Sequence, residues 1–332
     1  MLTKRENAIE TIRGGRPDRL VNQYEYLALM VGGYPGKSPV LKRGETAKNE
    51  WGVTYSWPED SPAKMPICDS GHVVVKDIEN WRSYVKAPSL DWKREDWQPY
   101  IDAAGKVDRD DRFVTAYIAP GVFEQCHNLL EIANCLMALL EEPEIMHEIV
   151  DYLTDWEMRL AECYVTYIKP DAVFHHDDWG TQISTFMSVE TFREFFLPAY
   201  KRIYGLYKDN GVELVVHHSD SYAETLVPSM LEMGIDVWQG AITTNDIPGI
   251  LREYGDRMAI QGGLDSGLYD VEDWSKEKIA EGLDELVRST DGAKWLIPCL
   301  SAGGPGSCFP PVYGAVSEAI ADYNRRHFGI DA

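Results

Sequence analysis

From Arg112 onwards the chain keeps one cadence, in which short apolar runs alternate with longer segments of helical period. The runs read as strands at Phe113–Ile118, 172–175, 213–217, 237–239, 258–261 and 295–298. Helical periodicity covers 129–140, 143–168, 189–210, 222–233, Ile247–Tyr254 and 276–288. With a further run at 20–27 and one more strand in the middle of the chain, the count approaches the eight of a (β/α)8 TIM barrel, which takes about 250 residues. An open doubly wound sheet is the competing α/β arrangement. No GxGxxG opens a helix after a strand and no GxxxxGK[ST] is present, so a nucleotide-binding reading has no support. The glycine-rich stretch 303–307 reads as a plain turn in preference to an anion-binding loop.

The N-terminal third is less regular. Residues 3–13 predict a helix with Ala8, Ile9 and Ile12 on one face, Thr3 and Glu6 at capping-box spacing, and Gly14-Gly15 at its end. The stretch 51–66, rich in Pro, Trp and Gly without periodicity, reads as an irregular cap or long loop. Residues 1–332 are therefore read as one barrel domain, with the helix and cap in about the first 110.

The formal charge is −22, from 54 acidic and 32 basic residues, which argues against nucleic acid and anionic membrane as partners. The six cysteines include no CxxC pair, as expected of reduced thiols in a cytoplasmic protein. Neither a signal-peptide core nor an apolar run of about 18 residues is present.

In a parallel barrel the reactive groups gather where strands end, and here the strand ends are polar. His175-His176-Asp177-Asp178 follows one strand and His217-His218-Ser219-Asp220 the next. Gln239, Gln261, Asp265 and Cys299 follow later ones. The first cluster has three readings: a metal site, an imidazole oriented by a carboxylate for acid–base work, or a hydrogen-bonded collar at the barrel mouth. His218 and Asp220, two apart at a strand end, can face one ion, with Cys308 from a late loop as third ligand. Alternatively, Asp220 simply caps the following helix.

The segments RENAIETIRGGRPDRL, EWGVTYSW, HHDDWGTQISTFMSVETFREFFLPAYKRI, VVHHSDSYAETLVPSMLEMGIDVWQG and QGGLD resemble the uroporphyrinogen decarboxylase-like superfamily over nearly the whole chain. Within it they are most similar to the cobalamin (corrinoid)-dependent methyltransferases. The decarboxylases carry an arginine-containing run near the first strand, whereas the equivalent stretch here, 21–27, has none and holds Glu25. The resemblance therefore implies methyl transfer, and excludes an octacarboxylate tetrapyrrole as substrate.

In the methyltransferase branch an H-x-C-G motif and a later cysteine hold zinc. Here the histidine position falls on His218, the cysteine position on Asp220 and the later cysteine near Cys308. Oxygen in place of sulfur makes the set harder and a bound zinc a stronger Lewis acid, which favours removing a methyl group from a heteroatom. The implied function is transfer of a methyl group from a small methylated compound, most plausibly a methoxylated aromatic, to cob(I)alamin on a corrinoid partner protein. The alternative is decarboxylation of a small carboxylate. Expected catalytic residues are His175, His176, Asp177, Asp178 and His218. Expected substrate contacts are Tyr24, Tyr26, Tyr117, Trp179, Gln239, Gln261 and Asp265. Whether the chain pairs as a homodimer is left open.

Overall fold

The computed structural model describes residues 1–38, 41–61, 63–67, 69–290 and 292–330. The apolar runs form a parallel sheet of seven strands: β1 (Leu27–Met30), β2 (Phe113–Ile118), β3 (Ala172–His176), β4 (Leu214–His218), β5 (Val237–Ala241), β6 (Ala259–Leu264) and β7 (Leu296–Leu300). They pair in chain order. Parallel neighbours need long crossovers, and helices outside the sheet supply them. The result is the barrel-type α/β architecture expected, with one strand fewer among the described residues.

The seam between β1 and β7 has no strand ladder. The chain just before β1 lies across it, where the Leu300 N–H donates to Gln23 Oε1 at 3.5 Å and Gln261 Nε2 donates to the Gln23 carbonyl at 3.4 Å. The strand expected at 20–27 is displaced for this reason. Residues 22–25 make a turn, with the Glu25 N–H bonded to the Asn22 carbonyl and Gln23 at φ 50°. The strand begins only at Leu27.

Inside the sheet, Tyr26, Phe113, Phe174, Val216 and Ile297 belong to one buried cluster. Val173, Val215 and Ile260 belong to a second, which runs into the helices. This split follows from the two-residue period of a strand, which sends alternate side chains to opposite faces.

Several helices are more broken than their periodicity suggested. The segment expected at 129–140 is two helices, Val122–Leu130 and Ile132–Glu141, separated by Glu131 at φ 71°. The segment 189–210 divides into Val189–Phe195 and Leu197–Asp209, where Pro198 falls in the second helix's first turn and cannot donate an N–H backwards. Pro228 likewise follows a short turn, Glu224–Leu226, and opens Val227–Glu232. The N-terminal helix, Lys4–Ile12, starts at the expected Thr3–Glu6 capping box.

The cap holds a small antiparallel sheet of Thr46–Lys48, Thr54–Ser56 and Met65–Pro66 where an irregular segment was expected. Aromatic pairs fasten this region to helix Pro143–Tyr167. Trp51 meets Trp156 at 4.9 Å, Trp81 meets Tyr152 at 5.2 Å and Trp97 stacks on Tyr167 at 5.1 Å. Each such pair contributes about 0.5–1.5 kcal/mol beyond its area burial. Cys68 lies outside the described residues. Among the described residues, no helix is long and apolar enough to cross a membrane.

Candidate metal centre and the adjoining cavity

Strands β3 and β4 pair in a register that places His175 opposite His217 and His176 opposite His218. Alternation then sorts four histidines into two pairs with different surroundings. His176 and His218 continue the inward series of Phe174 and Val216, and their rings stack 4.2 Å apart at the carboxyl ends of the strands. His175 and His217 face the helix layer and are fully buried there. His175 Nε2 lies 2.5 Å from the Glu157 carboxylate of helix Pro143–Tyr167. His217 Nε2 donates to the Asp177 carbonyl at 3.1 Å, which leaves Nδ1 to accept from the Tyr204 hydroxyl at 2.8 Å.

Among the described residues, one set of potential metal ligands converges: His176, Asp178 and His218 offer atoms that all lie within 4.8 Å of one another. His218 Nε2 stands 3.8 Å from Asp178 Oδ1, too far for a direct hydrogen bond. Tetrahedral zinc, with bonds of about 2.0–2.1 Å, would set its ligand atoms roughly 3.4 Å apart, so the His218–Asp178 pair would have to close by about 0.4 Å.

The outer nitrogens are already committed. His176 Nδ1 donates to Glu124 at 2.9 Å, and His218 Nδ1 donates to Gln239 Oε1. Gln239 is itself oriented by its Nε2, which points to the carbonyls of Leu300 and Ser301 at 3.4 Å. With both Nδ1 atoms occupied, the Nε2 atoms are the ones left for a ligand, the usual arrangement behind a metal-bound histidine. Two imidazoles and one carboxylate fit a divalent cation of the zinc type with a position left open.

Glu124 owes its position to Asp177, which points away from the barrel axis. The Asp177 carboxylate accepts from the N–H groups of Phe123 and Glu124 at 2.9 and 2.8 Å, and from the Tyr200 hydroxyl. It thereby satisfies first-turn donors of helix Val122–Leu130 from a different strand. Burial, then the Glu124 charge, raises the Asp177 pKa to about 7 despite the opposing pull of His175 and Tyr200.

Electrostatics distinguish the two inward histidines. Burial lowers the His218 pKa to about 4, and the neighbouring His176 pushes in the same direction, so His218 is a neutral ligand at neutral pH. Burial would lower His176 as well, but Glu124 and Asp178 outweigh it and raise its pKa well above the ordinary value. Asp220 is raised well above the carboxylate range by burial and by Asp178. Its backbone N–H donates to Asp178 Oδ1 at 2.9 Å. A bound cation would reverse these last two shifts by replacing the proton with a fixed charge.

The expected site residues divide accordingly. His176, Asp178 and His218 come together, while Asp220 and Cys308 stand outside that set. The Cys308 thiol points to the Gly303 carbonyl at 3.9 Å, and burial raises its pKa to about 12. His175 and Asp177 lie behind the set and serve the helix layer. Trp179 is completely buried, stacked on His217 at 3.9 Å. Tyr24 and Tyr26 belong to the barrel core, where the Tyr26 hydroxyl donates to Gln261 at 2.6 Å. Asp265 caps the short helix Ser266–Tyr269 through the Gly267 N–H at 2.9 Å.

Of the expected aromatic contacts, Tyr117 lines a cavity of about 380 Å³ between the cap and the barrel. That cavity reaches His176 and Glu124 on the barrel side and Tyr34, Lys37, Trp51 and Lys64 on the cap side. Glu124 and Glu157 were missed in the sequence because neither sits at a strand end. Glu124 is in the first turn after β2, a place where the strand-end logic could have found it had the helix been started at Val122.

The profile described as "Uroporphyrinogen decarboxylase (URO-D)" matches residues 67–323. No curated protein sequence matches the chain. Among solved structures, a methyltransferase from Methanosarcina mazei aligns with a TM-score of 0.68 at 12% identity, covering 97% of this chain and 99% of that one. At that identity the likeness is one of fold. A suspected alpha-L-fucosidase from Bacteroides thetaiotaomicron aligns at a TM-score of only 0.27, with 11% identity over 74% of this chain and 92% of its own, and carries no argument.

Proposed function

The chain belongs to the uroporphyrinogen decarboxylase family, and from that premise we propose that it is a methyltransferase which demethylates a small methoxylated aromatic compound. The methyl acceptor in this reading is cob(I)alamin carried by a corrinoid partner protein. The observation that carries the reading is the His176, Asp178 and His218 set, with both outer nitrogens pinned and with His176 lining an aromatic-walled cavity.

The cavity suits a methyl ether better than a tetrapyrrole. Its lining includes no arginine, and about 380 Å³ is near the lower end of ligand-pocket volumes. In the transfer, the methyl–oxygen bond breaks with its electron pair left on oxygen, and the acceptor's nucleophilic pair takes the methyl carbon. The difficulty is the charge that develops on the departing oxygen. A zinc ion held by His176, Asp178 and His218 would supply a Lewis acid for that oxygen. The protein's own contribution is orientation: Glu124 and Gln239 fix the two imidazoles, and Tyr117, stacked on Phe174 at 5.6 Å, forms part of the wall.

The test is anaerobic incubation with reduced cobalamin and a panel of methoxyarenes, methylamines and methyl thioethers, alongside elemental analysis of protein purified without added metal. Methyl transfer from the methoxyarenes and about one zinc per chain are expected. Carbon dioxide released from a carboxylated compound with no acceptor present would replace this reading with the decarboxylase one. Transfer by metal-free protein would remove the Lewis acid.

A further inference from the structure

Helix Val122–Leu130 contributes to the cavity wall a donor with nothing to bond. Gln125 lines the cavity and is only 5% exposed, and its side-chain Nε2 is buried without a hydrogen-bond partner among the described residues. An unbonded buried amide has lost its water and gained nothing in exchange, which is why such groups are rare in folded proteins. The carboxylates that share the lining do not meet it. Glu50 accepts from the Tyr34 hydroxyl at 2.8 Å and the Ser38 N–H at 3.1 Å, Glu124 from His176 at 2.9 Å, and Glu157 from His175 at 2.5 Å.

The amide is also held in a fixed relation to the candidate metal set. Gln125 follows directly on Glu124, whose carboxylate fixes His176, and consecutive helical positions differ by about 100°, so the two side chains reach different parts of one wall. The helix start itself is clamped. Asp177 accepts from the N–H groups of Phe123 and Glu124, the Gln125 N–H donates to the Gly121 carbonyl at 2.9 Å, and a Cβ at Gly121 would come within 2.5 Å of His175 Cε1. Only glycine allows the first turn to lie so close against β3. A compound bonded to Gln125 would therefore be held in register with His176, because both stand on rigid elements.

We infer that Gln125 is a specificity-determining residue of the cavity: its carboxamide donates to a neutral oxygen that the methylated compound carries in addition to the one bearing the methyl group. That the compound is methylated rests on the transferase reading; that the cavity reads a neutral acceptor does not. The bond orients the compound and takes no part in breaking the methyl–oxygen bond. Replacing the second oxygen by a methyl group of similar size would leave the amide unpaired, so the site discriminates against the more apolar analogue. A purely apolar wall would do the opposite.

Trp51 and Trp156 line the cavity, so quenching of tryptophan fluorescence reports binding without turnover. The probes are the isomeric methoxyphenols and the matching methoxytoluenes, in which a methyl group replaces the hydroxyl, titrated into wild type, Gln125→Met and Gln125→Leu. In wild type at least one methoxyphenol should bind about ten-fold more tightly than its methoxytoluene, near the upper end of what one neutral hydrogen bond gives. Both variants should reverse that preference while binding the methoxytoluenes at least as well. Neither should unfold at a lower temperature, since the amide nitrogen they remove bonds nothing in the protein. Methoxytoluenes that match or exceed the phenols in wild type, a preference that survives in either folded variant, no saturable binding of any methoxyphenol, or loss of the fold in both variants would each overturn the inference. Selective binding without methyl transfer to reduced cobalamin would sink the transferase reading and leave Gln125 its role.

Discussion

The inward pair His176 and His218 and the outward pair His175 and His217 are the same residue type, adjacent in sequence and at the same height in the sheet. Their environments nevertheless differ in kind. The inward rings each offer a nitrogen to the set they share with Asp178, and His176 reaches the cavity, whereas the outward rings have their hydrogen bonds turned to buried partners in the helix layer. One residue of offset along a strand separates a set that can hold a ligand from one that holds the fold together.

Four substitutions test that contrast, beginning with the largest expected effect. His218→Ala removes a ligand whose nitrogen no other described residue replaces; metal content and methyl transfer should fall by more than roughly 100-fold, with little change in thermal unfolding. A His218→Ala protein that retains metal would erase the distinction between the pairs. His175→Ala should do the reverse. It leaves Glu157, only 4% exposed, without its partner, at a cost of about 3–5 kcal/mol in urea unfolding, while the folded fraction still binds metal.

Glu124→Gln comes next. It keeps the size of the side chain but weakens the bond to His176 Nδ1, so metal affinity measured by competition with a chelator should drop about 10–100-fold. Asp220→Ala should have the smallest effect on metal affinity, because that carboxylate stands outside the converging set. A larger loss for Asp220→Ala than for Glu124→Gln would move the metal towards the later strands and restore Asp220 as a ligand.

The fold was legible because strand and helix periods announce themselves locally. All of the strands expected from Phe113 onwards are present to within three residues at either end. The first strand was misplaced because Gln23 is drawn to the seam with β7, a contact separated by 277 residues that no local pattern carries. Helix breaks at Pro198 and Pro228 were visible in principle, and the break at Glu131 was not, since nothing in that residue type asks for a positive φ.

The site was half legible. The polar strand ends pointed to the carboxyl ends of the strands, and His176, Asp178 and His218, which converge there, were all among the residues singled out. Their companions were not sorted, because four histidines and three aspartates of similar chemistry crowd into two short segments. Glu124, Glu157 and the two cap lysines come from helices and loops remote in sequence from those segments.

What the amino-acid order settled alone was the alternating α/β plan, since the strand and helix periods are properties of the chain itself. Which imidazoles share a space and which carboxylates they meet were decided only in three dimensions. Those are distances between segments tens to hundreds of residues apart, and they take values only once the sheet has curled and the cap has packed against it.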